Sequence, residues 1–463
     1  MHSKGVDVSK IITVIGAASI TFGPKILRDI INHPELDGCT FRFVDINEKH
    51  LDIYKRLTQR ITENIKHKIT IEADTDRKKM LPGSDFVIGS VEIKHYEFWE
   101  KDFVIPRSLG SRQINGELGG PGGMFHAFRQ IPVHLEIAKD IEQLCPNAVV
   151  MIVSNPLNRI CLALERYSKI GQVVGLCHGV EMAEKLILNK VLAMDGYDID
   201  AFAAGTNHLS WILQLRHKKT GEDLYPLLKE KLKTFDPTWY PMSRKLLEIY
   251  GYYNGVGDSH VGEYLPFAQE FGDAGTERFQ HYKNNDRGRW EHLDKVASGE
   301  IKLDTNPTYT NIDDACVANQ FFTPRSWIDT LSIPIIAAMQ VHRFHKMPAL
   351  NLINSGQIEN LPRGVFVETP AAVDANGVQA ISVGALPKPL AAFCQRDIEQ
   401  TEMIVEAGVK GDRNLALQAM LLDPVTDSIS TSEKVLERML LEFKDYLPSS
   451  PKNLVKIRQA FAS

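Results

Sequence analysis

Two short apolar runs, a glycine and an acid constrain this chain more than any other feature. Ile11 to Ile15 reads IITVI and breaks at Gly16. A helix-forming stretch follows from about Phe22 to Ile31, and then FRFV over Phe41–Val44, closed by Asp45. Strand, glycine turn, helix, strand and terminal acid make the first βαβ unit of a dinucleotide-binding sheet. Gly16 takes the tight turn, and Ala18, followed by Ser19, stands where a second glycine is usual. Alanine is small enough to leave the backbone nearly open to a pyrophosphate. Asp45 is positioned to accept hydrogen bonds from adenosine ribose hydroxyls, which favours NAD over its 2′-phosphorylated form. The competing reading of Asp45 is a turn acid ahead of Asn47.

The alternation continues. Apolar runs recur at Phe86–Ile88, Ala148–Val153 and Gln172–Leu176, separated by helical stretches such as Ile131 to Leu144. This predicts a parallel sheet with helices on both faces. Beyond about residue 200 helical texture dominates, with a loop-rich segment near Asn284–Thr310, a strand-like VFVETPAAVD and amphipathic helices from about Leu390. The expected class is α/β: a Rossmann-like doubly wound sheet with a second, mostly helical α+β domain. The expected division is an NAD-binding domain over 1–200 and a substrate, metal and oligomerisation domain over 201–463. A ligand site belongs at the carboxyl ends of the strands, facing the second domain.

Composition narrows the function classes. Lys plus Arg number 53 and Asp plus Glu 58, a net charge of −5, without the basic stripe of a nucleic-acid binder. The six cysteines are dispersed and none has CxxC spacing, which argues against a zinc ribbon or a disulfide framework. The N-terminus lacks the apolar core of a signal peptide, and no run of about 18 apolar residues offers a membrane span. The expected setting is the cytoplasm, with no membrane partner.

Five further segments carry chemistry. NGELGGPGG, Asn115 to Gly123, is dense in glycine and feeds a helix bearing His126 and Arg129. Bare backbone at a helix N-terminus suits anions and hydroxyls, although a surface loop reads the same way. Ser154-Asn155-Pro156 follows an apolar strand, where a polar amide meets ligand or simply caps a helix. Cys177-His178-Gly179 and Thr206-Asn207-His208 each follow a strand-like run. A thiolate and an imidazole at neighbouring strand ends can share one borderline divalent ion. Singly, each reads more simply as a core cysteine and a satisfied histidine. GDSHVGEY, from Gly257, brings Asp258 and His260 into a loop that can supply acid–base groups or be an ordinary polar loop.

Taken in order, these segments and GTNHLSW, NLINSGQIENLPRGVFVETPAAVDANGV, GALPKP and EAGVKGDRNLALQAMLLDP resemble glycoside hydrolase family four. These are the NAD- and divalent-metal-dependent glycosidases, and the likeness runs through nearly the whole chain. The resemblance implies Cys177 and His208 on a manganese-like ion, with Asn155 holding substrate near the nicotinamide. Glu117 stands where an aspartate contacting cofactor or sugar is usual. Ala18 and Ser154 depart from a usual glycine and threonine. The implied reaction is hydrolysis through transient oxidation at sugar C3, metal-assisted removal of the C2 proton, loss of the aglycone, water addition and re-reduction. Asp258, His260 and Tyr250 are the candidates for the base, and His178 for leaving-group assistance or sugar contact. Cys-His-Gly is similar to the branch acting on α-uronides, whose carboxylate would meet Arg129, His126 or His260. The partner is then a small glycoside, and the assembly a homodimer or homotetramer. The alternatives are a neutral α-glucosidase or α-galactosidase of the same family, a 2-hydroxyacid dehydrogenase, and a non-catalytic NAD sensor.

Overall fold

The computed structural model describes residues 9–304, 321–322 and 330–447. Six strands open the chain: β1 (Ile11–Ile15), β2 (Thr40–Val44), β3 (Thr70–Asp74), β4 (Phe86–Gly89), β5 (Val149–Ile152) and β6 (Val173–Gly175). They pair in parallel in the order β3-β2-β1-β4-β5-β6, the arrangement of a dinucleotide-binding sheet. The central strands are largely apolar because both faces are covered, Thr13 of β1 being bonded to Ser84. Ile12 and Val14 of β1 are fully buried, as is Ile88 of β4. The helices Gly120–Leu144, Leu157–Tyr167 and Lys388–Lys410 form one apolar layer. Gly23–Asn32, Glu48–Thr62 and Ser332–Gln340 form the other.

The second half contributes more strand than its helical texture predicts. β7 (Ile199–Thr206), β8 (Leu209–His217), β9 (Tyr253–Asn254), β10 (His345–Ile353), β11 (Phe366–Asp374) and β12 (Gly377–Ala380) extend the same sheet. The path continues from β6 through β10, β11, β7 and β8 to β9, with β12 on β11, for twelve strands in all. These additions are antiparallel. The segment read as loop from Asn284 is instead helical as far as Ser298, within the helix Glu277–Ser298. DTNPTYTN, beyond its first residue, lies outside the described residues. No helix among the described residues is long and apolar enough to cross a membrane.

Candidate functional site

The turn after β1 has the tight form expected of Gly16. Gly16 follows β1 with φ of 80°, and its amide bonds to the Val44 carbonyl at 2.8 Å. A side chain here would overlap the Ser90 carbonyl that ends the neighbouring strand, so both conformation and space demand glycine. Asp45 links this turn to the next: its carboxylate accepts from the Ala18 amide at 3.1 Å and the Asn47 amide at 2.9 Å. Burial raises the Asp45 pKa against those bonds. Asn47 caps the following helix through the His50 amide at 3.1 Å. Ser19 accepts from the Phe22 amide at 3.3 Å just before the first helix. Ser154 ties the ends of β4 and β5 together, giving and receiving bonds at the Val91 backbone of 2.8 and 2.7 Å. Asn155, next in the chain and joined to Pro156 by a cis peptide, therefore projects from the carboxyl edge of the sheet.

Cys177 follows β6, and His208 sits in the tight connection between β7 and β8. The structure brings them together, with Sγ and Nε2 separated by 3.2 Å. His208 has φ of 107°. A non-glycine residue held there costs about 1–3 kcal/mol, the kind of strain that gathers at functional sites. Burial, with His260 alongside, holds the His208 pKa well below the usual value, so the imidazole is neutral. Burial pushes the Cys177 thiol up to about 12, and the Glu368 carboxylate adds to it. A cation would reverse that preference and favour thiolate. The donor set fits a divalent ion: a thiol that can ionise and a neutral imidazole, 3.2 Å apart, are ligand types that a borderline divalent cation takes. Among the described residues His208 Nδ1 is buried without a partner.

Glu117 lies at the centre of the adjoining cluster. Its carboxylate accepts from the Asn155 amide at 2.8 Å and the Asn115 amide at 3.4 Å. His260 Nδ1 stands 3.9 Å away, and the His260 ring meets the His208 ring edge-on at 4.7 Å. Glu117, His260 and Glu263 each offer a ligand atom within 4.8 Å of the others. Glu263 Oε1, however, already accepts from the amides of Glu117, Leu118 and Gly119 at 2.8, 3.1 and 3.2 Å. That occupancy makes it a poorer ligand than the Cys177–His208 pair.

Other residues drawn from the sequence are engaged elsewhere. Arg129 is fully buried and forks onto Asp102, with Nη1 to Oδ1 at 3.0 Å, while its guanidinium centre lies 4.1 Å from the centre of the Phe443 ring. It does not reach the cluster. His126 is held between the Glu117 carbonyl, at 2.8 Å, and Glu92, at 3.1 Å. Burial opposes both charges, yet the pairing dominates, lifting the His126 pKa and lowering that of Glu92. Asp258 accepts from the Met242 and Ser243 amides at 2.8 and 2.9 Å, and from the Ser243 hydroxyl. Both its oxygens thus secure the start of the helix Pro241–Tyr250. Tyr250, at the other end of that helix, packs its ring against Trp211 and Phe393. His178 stacks on Phe22, joining the metal-candidate loop to the dinucleotide turn, with ring centres 6.0 Å apart.

Two buried carboxylates have partners that the sequence does not show. Glu263 lies inside GDSHVGEY, but nothing local marks it as the partner of a loop 144 to 146 residues away. Glu368, fully buried in β11, accepts from Asn351 at 3.2 Å and Asn207 at 3.4 Å. The signal available was an acid in the middle of the apolar strand VFVETP, which needs a buried partner.

Comparison with known proteins agrees with this architecture. The profile of the Family 4 glycosyl hydrolases matches residues 11–194, and that of the Family 4 glycosyl hydrolase C-terminal domain matches 203–426. An α-galactosidase of Bacillus subtilis (strain 168) is 30% identical over 95% of this chain and 99% of its own. An α-galacturonidase of Lachnoclostridium phytofermentans is 25% identical, over 94% and 96% of the two chains. The crystal structure of a 6-phospho-α-glucosidase from gut microorganisms, solved with NAD and Mn²⁺, superposes with a TM-score of 0.81 at 19% identity, covering 95% of this chain and 99% of that one. The 30% identity across almost the full length of both chains, with two profiles matched in order, makes this chain a member of glycosyl hydrolase family 4.

Proposed function

We propose that this glycosidase cleaves a small, neutral α-linked hexoside and depends on NAD and a divalent cation such as Mn²⁺. The observation that carries the reading is the meeting of Cys177 and His208, 3.2 Å apart, beside Glu117 and Asn155 at the carboxyl edge of a dinucleotide-binding sheet. Gly16, Ala18, Ser19 and Asp45 would hold NAD, and Cys177 and His208 the cation. Bound there, NAD supplies a reversible hydride acceptor for a sugar carbinol, and the cation supplies a Lewis acid toward neighbouring sugar oxygens.

The chain's own groups do the rest. Asn155 and Glu117, bonded to each other, present an amide and a carboxylate to sugar hydroxyls from one fixed geometry. Neutral His208 keeps its lone pair available for a cation. His260, half-exposed and between Glu117 and His208, is our choice for the group that takes the sugar's C2 proton. Asp258 serves it indirectly by fixing the helix Pro241–Tyr250. His178, next to Cys177 and stacked on Phe22, would contact the sugar or assist departure of the leaving group.

The choice of a neutral sugar follows from Arg129. A uronide carboxylate calls for a forked cation, and this arginine is already committed to Asp102. The relationship to the B. subtilis α-galactosidase supports the same choice. A uronide keeps two supports, the partly exposed His260 and the α-galacturonidase relative. Nitrophenyl α-galactoside, α-glucoside, α-galacturonide and α-glucuronide, each assayed with NAD⁺, Mn²⁺ and a reductant, decide between them. Preference for either uronide by about tenfold in kcat/KM, the scale of one charge-assisted contact, would overturn the neutral assignment.

A further inference from the structure

Glu117 owes its orientation to groups far away in sequence. Glu263, 2% exposed, accepts the amides of Glu117, Leu118 and Gly119 at 2.8, 3.1 and 3.2 Å. Gly119 packs so closely on Glu263 that a side chain there would run into the Glu263 backbone. On the opposite flank, Arg278 donates to both oxygens of Asn115, at 2.6 Å to the side chain and 3.1 Å to the carbonyl. Its guanidinium lies over the rings of Trp99, Phe103 and Phe279, and among the described residues its hydrogen bonds go to Asn115. Asn115 turns its own amide onto Glu117, at 3.4 Å. The three backbone amides fix the loop, and the side-chain amides of Asn115 and Asn155 leave the Glu117 carboxylate few orientations.

We infer that Glu263 and Arg278 are positioning residues that clamp the Asn115–Gly119 loop so that Glu117 meets Asn155 and the sugar. The inference rests on the reading of Glu117 as a substrate contact. Neither residue needs to touch substrate. A carboxylate accepting three consecutive amides fixes the loop's path, and the arginine fixes its entry. A misplacement of about 1 Å at a substrate contact typically costs on the order of a hundredfold in rate. The clamp therefore belongs in kcat rather than in nucleotide affinity.

The test is a cycle of variants in the full-length protein: Glu263→Gln, Glu263→Ala, Gly119→Ala and Glu117→Gln, with the combination of Glu263→Ala and Glu117→Gln. Hydrogen exchange at the amides of residues 117–119, NAD affinity by titration and steady-state kinetics on the best glycoside are the readouts. Glu263→Ala and Gly119→Ala should speed exchange at those amides. They should lower kcat by about 10- to 100-fold and leave NAD affinity within about threefold. In the Glu117→Gln background the Glu263→Ala loss should vanish, because its target is gone. Glu263→Gln keeps one acceptor oxygen and should recover part of kcat. Unchanged exchange in both Glu263→Ala and Gly119→Ala, or a Glu263→Ala loss of full size on top of Glu117→Gln, would overturn the clamp. If Glu263→Ala does not fold, Gly119→Ala and Glu263→Gln carry the same comparison. The exchange measurement needs no turnover, so a wild-type protein that cleaves no glycoside refutes the proposed function through a different result.

Discussion

Replacing Arg129 with methionine separates a structural arginine from one that reads a substrate carboxylate. The guanidinium and Asp102 are both buried, with 2% and 1% of their side chains exposed, and they are joined by two parallel contacts. Removing one member of such a pair strands the other, at a cost of about 3–5 kcal/mol. Unfolding entropy of roughly 2.1 cal/mol/K per residue gives about 1 kcal/mol/K for 463 residues. Arg129→Met should therefore lower Tm by about 3–5 °C. Asp102→Asn in the same chain removes the stranded charge and should restore at least half of that. The loss should also depend on pH. Burial already raises the Asp102 pKa while Arg129 opposes it, so without the arginine the folded-state pKa climbs further above the unfolded value. The stability of a group raised in this way is present at low pH and lost as pH rises through its folded pKa. The Tm deficit should be smaller near pH 5 than near pH 8. Differential scanning fluorimetry across pH, with kcat/KM for α-galactoside and α-galacturonide, measures all of this. An Arg129→Met protein with unchanged Tm and a selective loss on the uronide would return Arg129 to the substrate.

Three more outcomes follow from the site. Cys177→Ser and His208→Ala should each abolish turnover while NAD titration stays near wild type; a serine variant with unaltered kcat and metal dependence would remove the ligand assignment. His260→Ala should lower kcat by about 10²–10⁴, the range for a general base, and a drop under tenfold would point to another group. Asp258→Asn, by contrast, should lower Tm by about 1–2 °C, the effect of losing a helix cap worth about 1–2 kcal/mol. It should keep kcat within about tenfold, and a hundredfold loss of rate at unchanged Tm would restore Asp258 as the base.

Much of the first half was legible because its signals are local. Strand β1, the Gly16 turn and β2 with Asp45 follow from apolar runs and one glycine whose φ of 80° admits little else. Cys177 and His208 were legible as a pair because each follows an apolar strand, but those strands are not neighbours as expected: β10 and β11 lie between β6 and β7, and the two side chains still meet at 3.2 Å. What the sequence hid is tertiary. Arg129 reads as a helix-borne cation until Asp102 is found opposite it, 27 residues back. Asp258 reads as a loop acid until the amides of Met242 and Ser243 point at it. The helix Glu277–Ser298 buries only Phe279, Leu293, Val296 and Ala297, too few to mark an amphipathic face. It is fastened instead by Trp290 stacked on His50 and by the Arg56–Asp294 ion pair, both reaching the helix Glu48–Thr62. The β7–β8 hairpin turns on Asn207 and His208 without a glycine, so its usual marker is missing. That strained turn is also what carries His208 to Cys177.

The most direct test of the central claim is turnover of a nitrophenyl α-glycoside by protein stripped of nucleotide and metal. The stripped enzyme should show no hydrolysis, and none should appear with NAD⁺ or Mn²⁺ alone. Full turnover should return when both are restored, without NADH accumulating in proportion to product. Undiminished hydrolysis in chelator after removal of NAD would contradict the account, as would one NADH released for every glycoside consumed.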